Sequence, residues 1–364
     1  MAQNYALDHA LYLGANHEIS PRLSLQYGAR LSVFQNVGER TVYTYENAKA
    51  NDNIIITDST HYGRFENIKT YYNIEPRFSA RYLLNSKASL KLSYNRMAQY
   101  IHLVSNSTIP IPFNTWMPSG TYVEPQLADQ IAIGYFKNFQ NNAYELSVEA
   151  YYKKSQNVTA FADNAQVFFN EHLVTEFRQG EGESYGLEFY LQKRKGNLQG
   201  SISYTLSRAD MTIEGIENGQ PFAANHDRRH ALNAVATYEL SDQWTFGAAF
   251  TYATGRPMSL PTGKYDFNGY QANLYSGRNA YRLPDFHRLD LSANWTPKKN
   301  ANRRVKSNFA MGVYNAYNRS NAFTIYVQSA RDEEGNVVGD GTQKEARLVS
   351  LFGTLPYFTW NFSF

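Results

Sequence analysis

The 364-residue chain carries 35 Lys and Arg against 32 Asp and Glu, a net charge of +3, and no cysteine. Interspersed charge of this balance lacks the polybasic run expected of a nucleic-acid binder, and the missing thiols exclude a disulfide framework, a thiolate metal site and a cysteine nucleophile. Yet 29 Tyr, 22 Phe and 4 Trp sit in a chain of mean hydropathy −0.53, the mix expected when each strand shows one face to lipid and the other to water. In chain order the dominant period is two. Ala88, Leu90, Leu92 and Tyr94 alternate with Ser89, Lys91 and Ser93. Tyr144, Leu146, Val148, Ala150 and Tyr152 alternate with Glu145, Ser147, Glu149, Tyr151 and Lys153. Leu187, Phe189 and Leu191, then Trp244, Phe246, Ala248, Phe250 and Tyr252, then Leu289, Leu291, Ala293 and Trp295 repeat the pattern. Successive strand residues point to opposite faces, so these are strands, and many are long enough to cross a bilayer obliquely.

The connections alternate strictly, short then long. Short turns fall at Ser20–Arg22, Asn85–Lys87, Asn141–Asn142, Lys195–Asn197, Ser241–Gln243 and Pro297–Arg304. Long loops fall at Asn36–Lys69, Ser105–Pro125, Gln156–Glu181, Ala209–Arg229, Gly255–Phe286 and Arg331–Glu345. Outer-membrane barrels put short turns in the periplasm and long loops outside. Twelve connections imply thirteen strands, from Tyr5–Ile19 to Leu348–Phe364, with the first starting outside the cell. Lys306–Ser329 reads as a single strand; a turn at Asn318–Asn321 would raise the count to fourteen. A self-contained bacterial barrel has an even strand number, so thirteen points to part of something larger. No run reaches the roughly 18 apolar residues of a membrane helix, and Met1–Tyr5 has neither the basic nor the apolar region of an export signal. Residues 1–364 show no domain boundary.

The C-terminus ends on an alternating aromatic face, Phe358, Trp360, Phe362 and Phe364. It resembles the signal by which outer-membrane barrels are recognised for assembly. Upstream lie Phe222–Asn233 with His226-Asp227-Arg228-Arg229-His230, then Tyr252–Pro257, Tyr281–Asp290 and Val313–Arg319. In this order the set resembles the late barrel strands of TonB-dependent outer-membrane receptors over nearly the whole chain. The resemblance implies an all-β antiparallel transmembrane barrel of about 22 strands, of which this chain supplies the C-terminal thirteen. It implies a separate plug domain and earlier strands outside this chain, with a TonB-type energy transducer acting only through that plug. It implies lipid, the barrel-assembly machinery and a small nutrient as partners, no nucleic acid, no cofactor and no enzyme activity. The nutrient is a siderophore, cofactor, glycan or peptide. A complete smaller porin or adhesin barrel, and a soluble carbohydrate-binding β-sandwich, are the alternatives.

Individual residues add little chemistry. His226 and His230 have the spacing of a helical metal pair, but they fall where a loop becomes a strand, so a loop-anchoring hydrogen-bond cluster is expected there. Glu145, Glu149, Glu188 and Asp290 face inward, as polar lumens require, rather than forming a hydrolytic pair. Gly263-Lys264 lacks the rest of a phosphate loop. Asn106-Ser107-Thr108 and Asn157-Val158-Thr159 fit a glycosylation pattern of little weight here. Loop aromatics Trp116, Tyr122, Phe161, Tyr265, Tyr270, Tyr275 and Tyr281 are candidates to stack on a ligand, or else to pack the loops together.

Overall fold

The computed structural model describes residues 4–46, 54–104, 115–163, 165–167, 170–267, 270–275, 277–298, 305–339 and 343–364. Thirteen strands form one continuous antiparallel path in sequence order. They are β1 (Tyr5–Ser20), β2 (Leu23–Val37), β3 (Asn67–Asn85), β4 (Ala88–Gln99), β5 (Gln126–Phe139), β6 (Tyr144–Phe161) and β7 (Phe177–Lys193). They continue as β8 (Leu198–Thr212), β9 (His230–Glu239), β10 (Trp244–Ala253), β11 (Phe286–Trp295), β12 (Lys306–Tyr314) and β13 (Leu355–Ser363). Two-residue Phe222–Ala223 adds briefly to β8. Two short 3-10 turns, Leu173–Glu176 and Glu217–Gly219, punctuate the loops, and among the described residues no helix is long and apolar enough to cross a membrane.

Five of the six short turns lie where the alternation puts them, and 299–304 of the sixth lie outside the described residues. In the β5–β6 turn Gln140, Asn141 and Asn142 all take positive φ, a conformation Asn tolerates better than most residues. The end of the chain corrects the sequence reading. Lys306–Ser329 is not one strand, because Asn315 and Asn318 take φ of 54° and 57° and turn the backbone. Asn315 is buried and clasps Arg319 through its side chain in both directions, each at 2.9 Å. Thr324–Ser329 then pairs with Lys344–Val349 as a separate hairpin inside the sixth long loop. The last wall strand therefore begins at Leu355 rather than Leu348, and the sixth loop covers 315–354 instead of Arg331–Glu345. The count stays at thirteen because the additional strand leaves the wall.

One face of the sheet is apolar and the other polar. On β6 the apolar face carries Leu146, Val148 and Ala150, matched across β7 by Leu191, Phe189 and Leu187. At the short-turn end it closes with a run of rings. Trp244 lies 6.2 Å from Trp295, Trp295 5.4 Å from Phe309, Phe309 6.2 Å from Trp360, and Trp360 5.2 Å from Phe362. At the long-loop end it closes with a charged row across five strands, Arg96, Asp129, Lys154, Glu183 and Asp210, each the register partner of the next. Tyr94 donates to Asp129 at 2.7 Å and Tyr152 to Glu183 at 3.1 Å. From Tyr144 to Lys154, ten residues of a strand tilted about 45° rise roughly 24 Å, close to the apolar band of an outer-membrane barrel. Charge on the lipid face costs about 2–4 kcal/mol at mid-membrane and little at its edges, so the row marks where hydrocarbon ends.

The long loops fold over the polar face, which makes it the lumen side. Here lies the buried core. One cluster joins Val104, Val123, Phe161, Ala162, Ala165 and Phe177; another joins Val158, Ala160, Ile213, Ile216 and Phe222. Both unite residues of different loops and strand ends.

Candidate functional site

The site begins with loops that hold each other. The described parts of the second long loop, 100–104 and 115–125, turn inward onto β2 and β3. Tyr100 stacks on Phe34 at 4.7 Å, and its hydroxyl meets Ser32 Oγ at 2.6 Å and accepts from Asn73 at 2.8 Å. Ser32 also reaches the buried Glu75 at 2.8 Å, with Arg30 3.8 Å from that carboxylate. Within this loop His102 Nε2 lies 2.9 Å from Ser119 Oγ, and burial pushes the imidazole down to about 4. The first loop's hairpin, Arg40–Tyr45 with Ile56–Tyr62, docks alongside. Tyr122 donates to the Tyr43 carbonyl at 2.9 Å, and Tyr45 meets His172 Nδ1 at 3.0 Å. Burial, with Tyr122 and Tyr43 close by, pushes the Tyr45 hydroxyl up to about 12.

The fifth long loop (254–285) clamps the third and fourth. Arg278, 6% exposed, donates to the Phe161 carbonyl at 2.7 Å and to Asp163 at 3.2 Å. Its guanidinium lies over the Phe222 ring at 5.7 Å, and its backbone N–H bonds Glu217. Asn279 donates to the Ala223 carbonyl at 2.7 Å and to Asn225 at 2.6 Å. Asp227 is 1% exposed; it accepts from the Ala209 amide at 2.7 Å and pairs with Arg282, with Arg229 3.8 Å away. A buried carboxylate is tolerable only with such partners. This is the anchoring cluster expected of the His226–His230 segment. His226 itself is exposed, whereas His230 bonds the Tyr204 hydroxyl at 2.8 Å on the other face. The two histidines do not converge, and the described residues contain no cluster of His, Asp and Glu able to hold a metal.

Beneath the fourth loop (213–229) a recess of about 370 Å3 opens on the lumen side. Gln130, Glu149, Tyr151, Lys153, Ser184, Glu188 and Ser207 line it from the wall, and His226, Asp227 and Arg228 from the loop. Two glycines shape its floor. A Cβ on Gly186 would lie 3.0 Å from the Tyr151 ring, and one on Gly134 would lie 2.9 Å from Glu149 Cγ. Each glycine is the register partner of the side chain that leans over it. Of the four inward carboxylates, Glu145 pairs with Arg194, and Asp290 pairs with Arg288 at 2.8 Å and accepts from the Asn315 amide at 2.9 Å. Glu149 and Glu188 are register partners, and the Glu149 side chain leans the other way, over Gly134.

The loop aromatics scatter. Tyr122 and Phe161 pack loops together, Phe161 against Phe177 at 5.1 Å. Trp116, Tyr265 and Tyr281 are exposed on separate hairpins, and Tyr275 is half-buried. The backbone of Tyr270 pairs with Phe267, but its side chain lies outside the described residues. Gly263-Lys264 falls in the Pro261–Phe267 strand of a loop hairpin, and 106–108 lie outside the described residues. Asn157 sits at a bulge with φ of 57° and donates to the Pro125 carbonyl at 3.0 Å. Phe358, Trp360, Phe362 and Phe364 share the exposed apolar face of the last strand. Sequence reasoning missed Arg278, Asn279 and Arg282, whereas the alternation of β6 and β7 placed Glu149 and Glu188 inward, where the structure has them.

A wall of long antiparallel strands with an apolar outer band, short turns at one end and interlocked loops at the other defines an outer-membrane β-barrel protein. The family model for the TonB-dependent receptor-like β-barrel matches residues 2–316. The chain belongs to the TonB-dependent receptor family, whose barrels lie in the outer membrane of Gram-negative bacteria. No protein of curated function matches the sequence. Among solved structures it resembles the ferripyoverdine receptor of Pseudomonas aeruginosa, at TM-score 0.59 and 12% identity over 99% of this chain and 39% of that one. It resembles the ferric-catecholate import receptor Fiu of E. coli K12, at 0.58 and 14% over 98% and 45%. It also resembles the FrpB iron transporter of Neisseria meningitidis, at 0.54 and 17% over 98% and 46%. Identities this low speak to fold alone, and the chain spans under half the length of each of these proteins.

Proposed function

We propose that residues 1–364 form thirteen wall strands and the external loops of a transporter that takes a scarce small nutrient across the outer membrane. The observation that carries this reading is the lock of five long loops over a polar, recessed lumen at the end opposite the ring belt. Such a cap is suited to holding a solute above a pore rather than to leaving a channel open. The rest of a barrel of about 22 strands and a plug complete the machine in this reading. Energy enters through the plug, which a TonB-type transducer engages, and the wall supplies shape and specificity. The terminal face of Phe358, Trp360, Phe362 and Phe364 presents the strand to the assembly machinery, and membrane lipid surrounds the apolar band. Siderophore, cofactor, glycan and peptide are the ligand classes. The fold's likeness to receptors of iron chelates supports testing a siderophore first.

The test is depletion of solutes from a defined medium by cells with and without the full-length gene, each with and without the transducer. One solute is expected to disappear only when both are present. Size-limited passive flux that ignores the transducer would replace this reading with a porin.

A further inference from the structure

Three cations stand together on the lumen face of β3 and β4, towards the short-turn end. Arg77, Ser79 and Arg81 follow the buried Glu75 on one face of β3. Asn95, Ser93 and Lys91 are their register partners on β4. Arg77 and Arg81 lie about 13 Å apart along the strand, and β4 lies about 5 Å to the side. Arg77, Arg81 and Lys91 are all exposed. Among the described residues none of the three has an ion pair or a hydrogen bond. By contrast, Arg30, Arg194 and Arg288 each meet a carboxylate of the lumen face: Glu75, Glu145 and Asp290. The inward second loop stops short of the group. Its hydrogen bonds to β3 fall at Tyr71 and Asn73, nearer the long-loop end. Glu149 leans over Gly134, whose other register partner is Lys91, yet forms no ion pair with Lys91 among the described residues.

We propose that Arg77, Arg81 and Lys91 seat an acidic face of the plug, whose Asp and Glu side chains pair with them. A plug in the lumen strips water from the wall it covers. A cation that loses water and gains no partner is costly. A carboxylate opposite it offsets that loss, and against arginine it does so through two parallel hydrogen bonds. A basic plug face would be repelled here, and a neutral one would leave three charges unanswered. Ser79, Ser93 and Asn95 lie between the cations and offer short polar contacts that fix the plug's position along the strands. The contact sets which side of the plug faces β3 and β4. The proposal rests on the transport reading in supplying a plug, and it names the chemistry of the surface that meets this part of the wall.

The experiment is carbodiimide cross-linking of the purified full-length receptor in detergent, read by mass spectrometry of its peptides. The reagent activates a carboxylate, and a lysine amine displaces the urea to leave an amide without a spacer, so only groups in contact are joined. Lys91 is expected to be linked to an Asp or Glu of the plug, and Arg81→Lys should add a link to the same stretch of plug. The double variant Arg77→Glu, Arg81→Glu should speed tryptic release of the plug at least fivefold while the wall keeps its heat-modifiable mobility on gels. No link at Lys91, a link only to wall carboxylates such as Glu149, or unchanged release of the plug would overturn the interface. If the double variant fails to assemble, the cross-link on the unsubstituted protein decides. Cross-linking in detergent needs no transducer, so a link from Lys91 to the plug in a protein whose flux ignores the transducer would sink the transport reading alone. Transducer-dependent uptake with no such link would sink this interface alone.

Discussion

Asp227 gathers an amide from β8 and arginines from its own loop and the next, all from a position closed to water. Removing a buried partner strands the others, at a cost of about 3–5 kcal/mol when all are buried. Arg282 is 34% exposed, so about 2 kcal/mol is the expected loss for Asp227→Ala. Trypsin should then cut intact cells' receptor near Arg228 and Arg282, while the wall keeps its heat-modifiable shift; unchanged protection would mean that Asp227 anchors nothing. His102 gives a pH-dependent counterpart. Its folded value near 4 lies below the unfolded value near 6.5. The unfolded loop therefore binds more protons between these values, and loop stability falls as pH drops through that window. At pH 5 the loss is about 2 kcal/mol. Hydrogen exchange across 100–104 should quicken from pH 7 to 5 after correction for intrinsic rates, and His102→Gln should abolish the extra change. Little of this was legible in the sequence. The His226–His230 segment announced an anchor, but Arg278 lies over 100 residues from Phe161 and Asp163, and Arg282 lies 55 from Asp227, and spacing carries no record of such pairings.

Strands were legible because one face meets lipid and the other water, which writes a period of two into the residues themselves. The same period misled at Thr324–Ser329, where a loop hairpin alternates as a wall strand does. Only the backbone of Asn315 and Asn318 separates the two cases. The last strand carries a prediction at this scale. Ser363 is its final paired residue and Phe364 is 90% exposed, so Phe364→Ala should change stability by no more than about 0.5 kcal/mol. If the terminal ring serves recognition, surface amounts should fall severalfold while the assembled fraction melts normally. Equal surface amounts would show that the terminal ring serves packing alone.

Across the whole molecule the strands form an ordered wall whose first member is exposed along all sixteen residues. An edge of that length templates pairing. Residues 1–364 expressed alone should therefore self-associate in detergent, and a monodisperse monomer by light scattering would argue that the wall closes on itself. This wall has a fixed orientation in the membrane: short turns face the periplasm and locked loops face outside. The absence of cysteine makes a direct test clean, since one introduced thiol is the only one in these residues. In a full-length receptor otherwise free of cysteine, a membrane-impermeant maleimide would be applied to intact cells carrying Glu334→Cys in the sixth loop or Asp242→Cys in a short turn. Glu334→Cys should label on intact cells, and Asp242→Cys only after the outer membrane is permeabilised. Labelling of Asp242→Cys on intact cells, or of Glu334→Cys only after permeabilisation, would contradict it.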